Sequence, residues 1–189
     1  MHTNQAPMPH PPAGPSLTYL GAQQYRLSME LRFDPGWICG LSHGLAERQI
    51  SITRVEAARG SGRMWHARLD LDFSATATAA ADVDYAALCR LPATVQALVE
   101  PVVLDDYQLE RSTRAAGSLY VEVSGPDRLG VLSSVLNTFS LFSLFPSELL
   151  AETRHKRIFD RFWLKGMANR VPSDEAVAAL RERLREFTC

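Results

Sequence analysis

Leu119-Tyr120-Val121-Glu122-Val123-Ser124-Gly125-Pro126-Asp127-Arg128-Leu129-Gly130-Val131-Leu132 sits in the second half of the chain, and the fold turns on it. Leu119, Val121 and Val123 share one side of an alternating run, the period of a half-buried strand. Gly125-Pro126-Asp127-Arg128 ends that run. From about Gly130, Val131, Leu132, Val135 and Phe139 recur at helical spacing and form one apolar face. A glycine at such a strand-to-helix turn lets backbone N–H groups come close to a ligand, and the helix N-terminus favours a carboxylate. Asp127, in the same loop, could hold an ammonium group.

Downstream, Leu149, Ala151 and Thr153 suggest a strand, a turn falls near His155, and Ile158, Phe162 and Leu164 mark the next strand. Ser173 suits the N-cap of a last helix with Val177, Leu180, Leu184 and Phe187 inward. The first half has the same order. Tyr25 to Phe33 alternates strictly and stops at Asp34-Pro35-Gly36. Ile38, Leu41 and Leu45 give a short helix ending near Arg48, and Ile50, Ile52 and Val55 a strand. Gly60-Ser61-Gly62 is a hairpin turn signal. Trp65, Ala67, Leu69, Leu71 and Phe73 form a third strand. A helix is expected from about Asp82, with Tyr85, Leu88 and Leu91 inward, broken or kinked at Pro92. Laid over one another, the halves match Gly36 with Gly130, Leu41 with Val135 and Leu45 with Phe139. They also match Leu69 with Phe162 and Tyr85 with Val177, the spacing drifting by one only where loops fall. That is the pattern of two divergent copies of one unit.

A strand ending in Gly-Pro-Asp-Arg-x-Gly before a helix, inside a βαββαβ unit, resembles the ACT domain. Gly125 to Leu132, Ala151-Glu152-Thr153 and Phe159-Asp160-Arg161-Phe162-Trp163-Leu164 carry the resemblance. This second copy is similar to the ACT pair at the C-terminus of the bifunctional uridylyltransferase/uridylyl-removing enzyme, and to plant ACT-repeat proteins. The resemblance implies an α+β fold of two ferredoxin-like domains in tandem, with helices on one face of each sheet. The expected divisions are a Pro-rich disordered tail over 1–16, a first domain over 17–110 and a second over 111–189. It implies a regulatory protein without catalytic residues or cofactor, binding an amino acid or related metabolite and acting through a partner protein or a homodimer. The residues expected at the ligand are Asp127, Arg128, Leu129 and Gly130, with Asp34, Pro35, Gly36 and Ser51 from the first copy.

The chain also departs from the family pattern. Leu129 stands where proline is usual. The asparagine common at the start of the second strand becomes Ser51 in copy one and falls on Phe145 in copy two, which cannot hydrogen-bond a ligand. Copy two would then keep the loop and lose the pocket. This motivates an alternative, an interaction module that has lost small-molecule binding. Copy two also lacks a fourth strand after its last helix, and the spare strand-like pieces are Ser16–Leu20 and Val102–Leu104. An uncovered sheet edge invites unwanted pairing, so one of them is expected to complete an edge. Leu136, Phe139, Phe142 and Phe145 extend the apolar surface beyond the stripe one helix needs for its own core, and are expected to form an interface.

Bulk properties narrow the remaining classes. Over 189 residues, 46% apolar and 22% charged content is ordinary for a folded domain, and a formal net charge of −1 gives no broad field for nucleic acid or an anionic membrane. No run approaches the ~18 apolar residues of a membrane span, and Met1-His2-Thr3-Asn4-Gln5 lacks a signal-peptide pattern. Cys39, Cys89 and Cys189 show no metal or disulfide spacing, so no metal site is expected and a cytoplasmic location fits. Gly60-Ser61 with Asp70 and Asp72 is similar to a metal-dependent nucleotidyltransferase signature. Here the Gly-Ser pair falls in a hairpin turn rather than opening a helix, so catalysis is set aside.

Overall fold

The computed structural model describes residues 14–32, 34–60, 64–91 and 102–188. The Pro-rich segment up to residue 13, Phe33, the hairpin tip at 61–63, Pro92 and Cys189 lie outside them. Eight strands and four helices make an α+β fold among the described residues. They run β1 (Ser16–Gly21), β2 (Gln24–Arg32), α1 (Trp37–Glu47), β3 (Ser51–Arg59), β4 (Met64–Asp72) and α2 (Tyr85–Leu88). Then come β5 (Asp106–Arg111), β6 (Leu119–Pro126), α3 (Val131–Leu141), β7 (Leu144–Arg154), β8 (Arg157–Gly166) and α4 (Asp174–Arg185). The elements of residues 16–88 thus recur in the same order over 106–185.

Alternation in the sequence becomes two-sidedness in the sheet. Leu27 and Met29 of β2, Trp65, Ala67, Leu69 and Leu71 of β4, and Val121 and Val123 of β6 are buried. They belong to one apolar core with Leu41 and Leu45 of α1 and with Val135 and Phe139 of α3. The opposite face is polar. There Arg26 of β2 donates two hydrogen bonds to Asp70 of β4, at 2.7 and 2.9 Å. Burying an apolar side chain of Leu size contributes roughly 1.5–3 kcal/mol, so the helix-covered face is what holds the sheet together.

All eight strands join one antiparallel sheet in the order β1-β2-β4-β3-β7-β8-β6-β5. Four strands of one copy read inward and four of the other read outward, meeting at β3 and β7. At that seam Glu56 pairs with Leu150, its own counterpart in the other copy, and Val55 pairs with Ala151. The helix layer obeys the same pseudo-twofold relation. The Cys39 thiol of α1 lies 3.8 Å from the carbonyl of Ser133, the counterpart residue of α3, 94 positions away. Even backbone exceptions recur: Gly36 and Gly130 take φ of 92° and 84°, and Gln49 and Ser143 take 58° and 56°. The two halves therefore match in backbone conformation as well as in element order.

The fourth strand of each copy precedes the other three instead of following them. β1 pairs with β2 across a two-residue turn, Ala22-Gln23, with φ of 47° and 61°. Two left-handed residues in a row match the twist of a tight hairpin. The edge of copy two is filled by β5, which pairs with β6 along its whole length, and a division at 110/111 would cut through it. Val102–Leu104 forms no edge strand. It crosses beneath Gly125, where a Cβ would meet the Val103 carbonyl at 2.9 Å, and the Leu104 amide donates to Phe187 at 2.8 Å. Buried Leu104 is thereby pinned at the end of α4, where it forms a parallel bridge to Thr188.

The second helix of copy one also differs from expectation. It is a single turn capped by Asp84, whose carboxylate accepts from the Ala87 amide at 2.9 Å, and Leu91 is 38% exposed instead of inward. This turn lies directly on α1. A Cβ at Gly40 would come 2.7 Å from the Leu91 carbonyl oxygen and 2.9 Å from that of Leu88. Ala normally favours a helix over Gly by roughly 1 kcal/mol. At this position backbone would have to move, so Gly40→Ala is expected to lower Tm by about 3–6 °C in thermal denaturation. An unchanged or raised Tm would show that α2 does not hold this close contact.

Candidate functional site

β6 runs out at Pro126, and the chain turns into α3 through Asp127, Arg128, Leu129 and Gly130. The Asp127 amide donates to the Lys156 carbonyl at 2.9 Å, tying the turn to the β7–β8 hairpin. The Val131 amide bonds back to Arg128 at 3.1 Å, and Gly130 serves as N-cap in the left-handed region with no side-chain cap. The first amides of an α-helix have no partner within the helix. Here a cleft opens against this turn, its other wall coming from copy one: Ser42 and Ala46 of α1, and Ile50, Ser51 and Ile52 at the start of β3. Counting the open space at its mouth, the cleft spans about 430 Å³.

Two carboxylates set the electrostatics. Asp160 of β8 lines the cleft at 2% exposure, and its Oδ1 accepts from the Glu152 amide at 3.3 Å. Burial pushes its pKa up to about 7, the negative charge of Asp127 adds to the rise, and the Glu152 amide offsets part of it. Burial likewise raises Asp127, against a hydrogen bond from the Thr153 hydroxyl that favours its charged form. Two neighbouring acids that both resist ionisation leave a place where a positive charge would be welcome.

Of the residues expected at a ligand, Asp127, Arg128, Leu129, Gly130 and Ser51 meet here. Asp34, Pro35 and Gly36 lie outside this cleft, at the matching turn of copy one, where Asp34 and Pro35 are exposed. Phe145 is not opposite the Gly130 loop. The pseudo-twofold pairing crosses the two halves, so the loop of copy two faces Ser51 of copy one. The expected loss of the pocket through Phe145 therefore does not follow. Leu136 and Phe139 are buried on α3, Phe139 edge-on to Phe162 at 4.9 Å, while Phe142 and Phe145 are half-buried. Part of the apolar surface of α3 is thus used within the chain, where α3 packs on α1, while Leu141 stays 50% exposed.

Asp160, Thr153 and Ser42 were not among the expected site residues. Asp160 had a signal: it interrupts the apolar face shared by Ile158, Phe162 and Leu164. Ser42 had none, because only the pairing of the copies brings α1 to the Asp127 loop. The carboxylates once weighed for metal chemistry are engaged elsewhere, Asp70 with Arg26 and Asp72 with the Ser74 amide at 2.8 Å. Among the described residues no group of three or more His, Cys, Asp or Glu is placed to hold a metal ion, and no helix is long and apolar enough to cross a membrane. No protein-family model matches the chain, and no curated protein matches it.

Asp160 gives the fold a pH dependence of known sign. Its folded pKa of about 7 lies above its ordinary 3.8, so the folded state holds the proton more tightly. The fold keeps this advantage at low pH and loses it as pH rises from about 4 to about 7. Asp160→Asn is expected to raise Tm at pH 8 by roughly 5 °C and to change it little at pH 4.5. Melting curves across that range check it, and equal shifts at both ends would contradict it.

Proposed function

We propose that this protein is a tandem ACT-type regulatory module, two ferredoxin-like copies that sense an amino acid or related small metabolite and act through a partner protein, without catalysis of their own. The observation that carries this reading is the cleft between the copies, where the Asp127–Gly130 turn meets Ser51. The uncapped N-terminus of α3 suits a ligand carboxylate, while Asp127 and Asp160 suit an ammonium group. A zwitterion needs both kinds of partner within a few ångströms. Free thiols at the buried Cys39 and Cys89 agree with a reducing, cytoplasmic setting.

Metabolite sensing needs a change that a partner can feel. A ligand in this cleft would touch both copies at once, the α3 turn on one side and the α1–β3 connection on the other. Binding would therefore stiffen or shift the relation between the halves. Leu129, 44% exposed at the rim, is placed to report such a change to another protein.

A second reading, an interaction module without a ligand, is favoured by one observation: Leu129, standing where proline is usual, is 44% exposed at the rim of the cleft. Thermal-shift and calorimetric screening with the twenty amino acids separates the two. The sensing reading expects at least one amino acid to raise Tm by 2 °C or more at millimolar concentration, a response that Asp127→Ala weakens at least tenfold in affinity without unfolding the protein. A folded protein that answers to none of the twenty removes the ligand and leaves the interaction module.

A further inference from the structure

Each half opens its long helix on a left-handed glycine, Gly36 for α1 and Gly130 for α3, yet the two positions are furnished differently. Trp37 opens α1 where Val131 opens α3. Trp65 stands in β4 where Ile158 stands in β8, and Ala67 where Asp160 stands. Sheet register secures these equivalences: Ala67 pairs with Met29 as Asp160 pairs with Val123, and Trp65 with Leu31 as Ile158 with Gly125. The two indoles meet edge to face, centroids 5.5 Å apart, and are 2% and 5% exposed. Each aromatic side chain of this size buries 150–250 Å². Two of them in place of Val and Ile occupy the volume that the other copy leaves open, and the acid that would have met a cation is replaced by a methyl group.

We propose that the chain binds one small ligand per molecule, in the cleft of Asp127 and Asp160 alone. It would hold the ligand's ammonium end at these carboxylates, while the symmetry-related position at Gly36 is closed by Trp37 and Trp65. This rests on the reading of the cleft as a metabolite site and goes beyond it in stoichiometry, in the charge of the ligand and in its coupling to protons. The charged groups that line the cleft with Asp160 are Asp127 and the exposed Arg128 from the β6–α3 turn and Glu152 from β7, whose carboxylate pairs with Arg154. The walls from α1 and β3 present only uncharged residues, among them Ser42 and Ser51. A cation arriving beside Asp160 stabilises its ionised form, so the proton held there leaves for solvent. The ammonium group stays charged throughout this pH range. Affinity therefore rises with pH below about 7, by up to tenfold per unit, and levels off above it.

Calorimetry on the full chain tests this with L-amino acids and their α-hydroxy counterparts, such as alanine against lactate and glutamate against 2-hydroxyglutarate. The expected result is one amino acid per chain, a hydroxy acid at least thirtyfold weaker, and proton release near pH 6.5 seen as a heat that varies with the buffer. Asp160→Asn should bind more weakly and release no proton. Trp37→Val with Trp65→Ile and Ala67→Asp should add a second equivalent. Two equivalents on the wild-type chain, hydroxy acids binding as tightly, or one equivalent without proton release each overturn the proposal. If no compound binds the folded protein, the sensing reading falls and takes this inference with it. Should the triple variant fail to fold, wild-type stoichiometry and the hydroxy-acid comparison decide alone.

Discussion

The hydrogen-bonded seam between β3 and β7 is the contact on which the rest of the structure depends. It closes two edges that four-stranded units would otherwise expose, and merges two small sheets into one. Because Glu56 pairs with its own counterpart Leu150, the seam also sets the relation of the halves. That relation brings α1 against α3 at Cys39 and Ser133, and unites the two apolar layers in one core. A unit of this size alone buries a modest fraction of its surface, so joining two of them stabilises both.

The same seam creates the cleft. Neither copy holds a complete site: the turn with its helix amides and the two acids come from copy two, the opposite wall from copy one. Asp160 is the anomaly within it. A carboxylate in an apolar face destabilises the fold whenever it ionises, and its neighbour Asp127 makes matters worse. At the matching position Ala67 carries no such penalty. Local rules of folding are broken on one side of the pseudo-twofold axis and obeyed on the other, the pattern expected where a site serves something besides stability.

Most of the fold was legible in the residues. Alternation at Leu119 to Val123 and at Trp65 to Phe73, helical spacing at Leu41 and Leu45, and the Ser173 cap all became the elements they suggested. Each of these signals is local, a matter of which side chains share a face. The site was half legible: Asp127 and Gly130 announced themselves by a turn whose backbone φ of 84° suits glycine. Asp160 was visible as an acid on an apolar face but read as part of a strand. Ser42 and Ala46 left no trace in the pattern.

Sequence by itself determined that the chain is α+β, that it is a duplicated unit, and that a glycine turn opens α3, since periodicity and turn chemistry act over a few residues. Tertiary structure decided which strand fills each edge, that α3 packs on α1, and that the turn of copy two faces Ser51 and not Phe145. These are choices between distant partners of similar local character. The pairings of β1 with β2 and of β5 with β6 settle the edges, and the antiparallel pairing of β3 with β7, which crosses the two halves, sets what the turn faces.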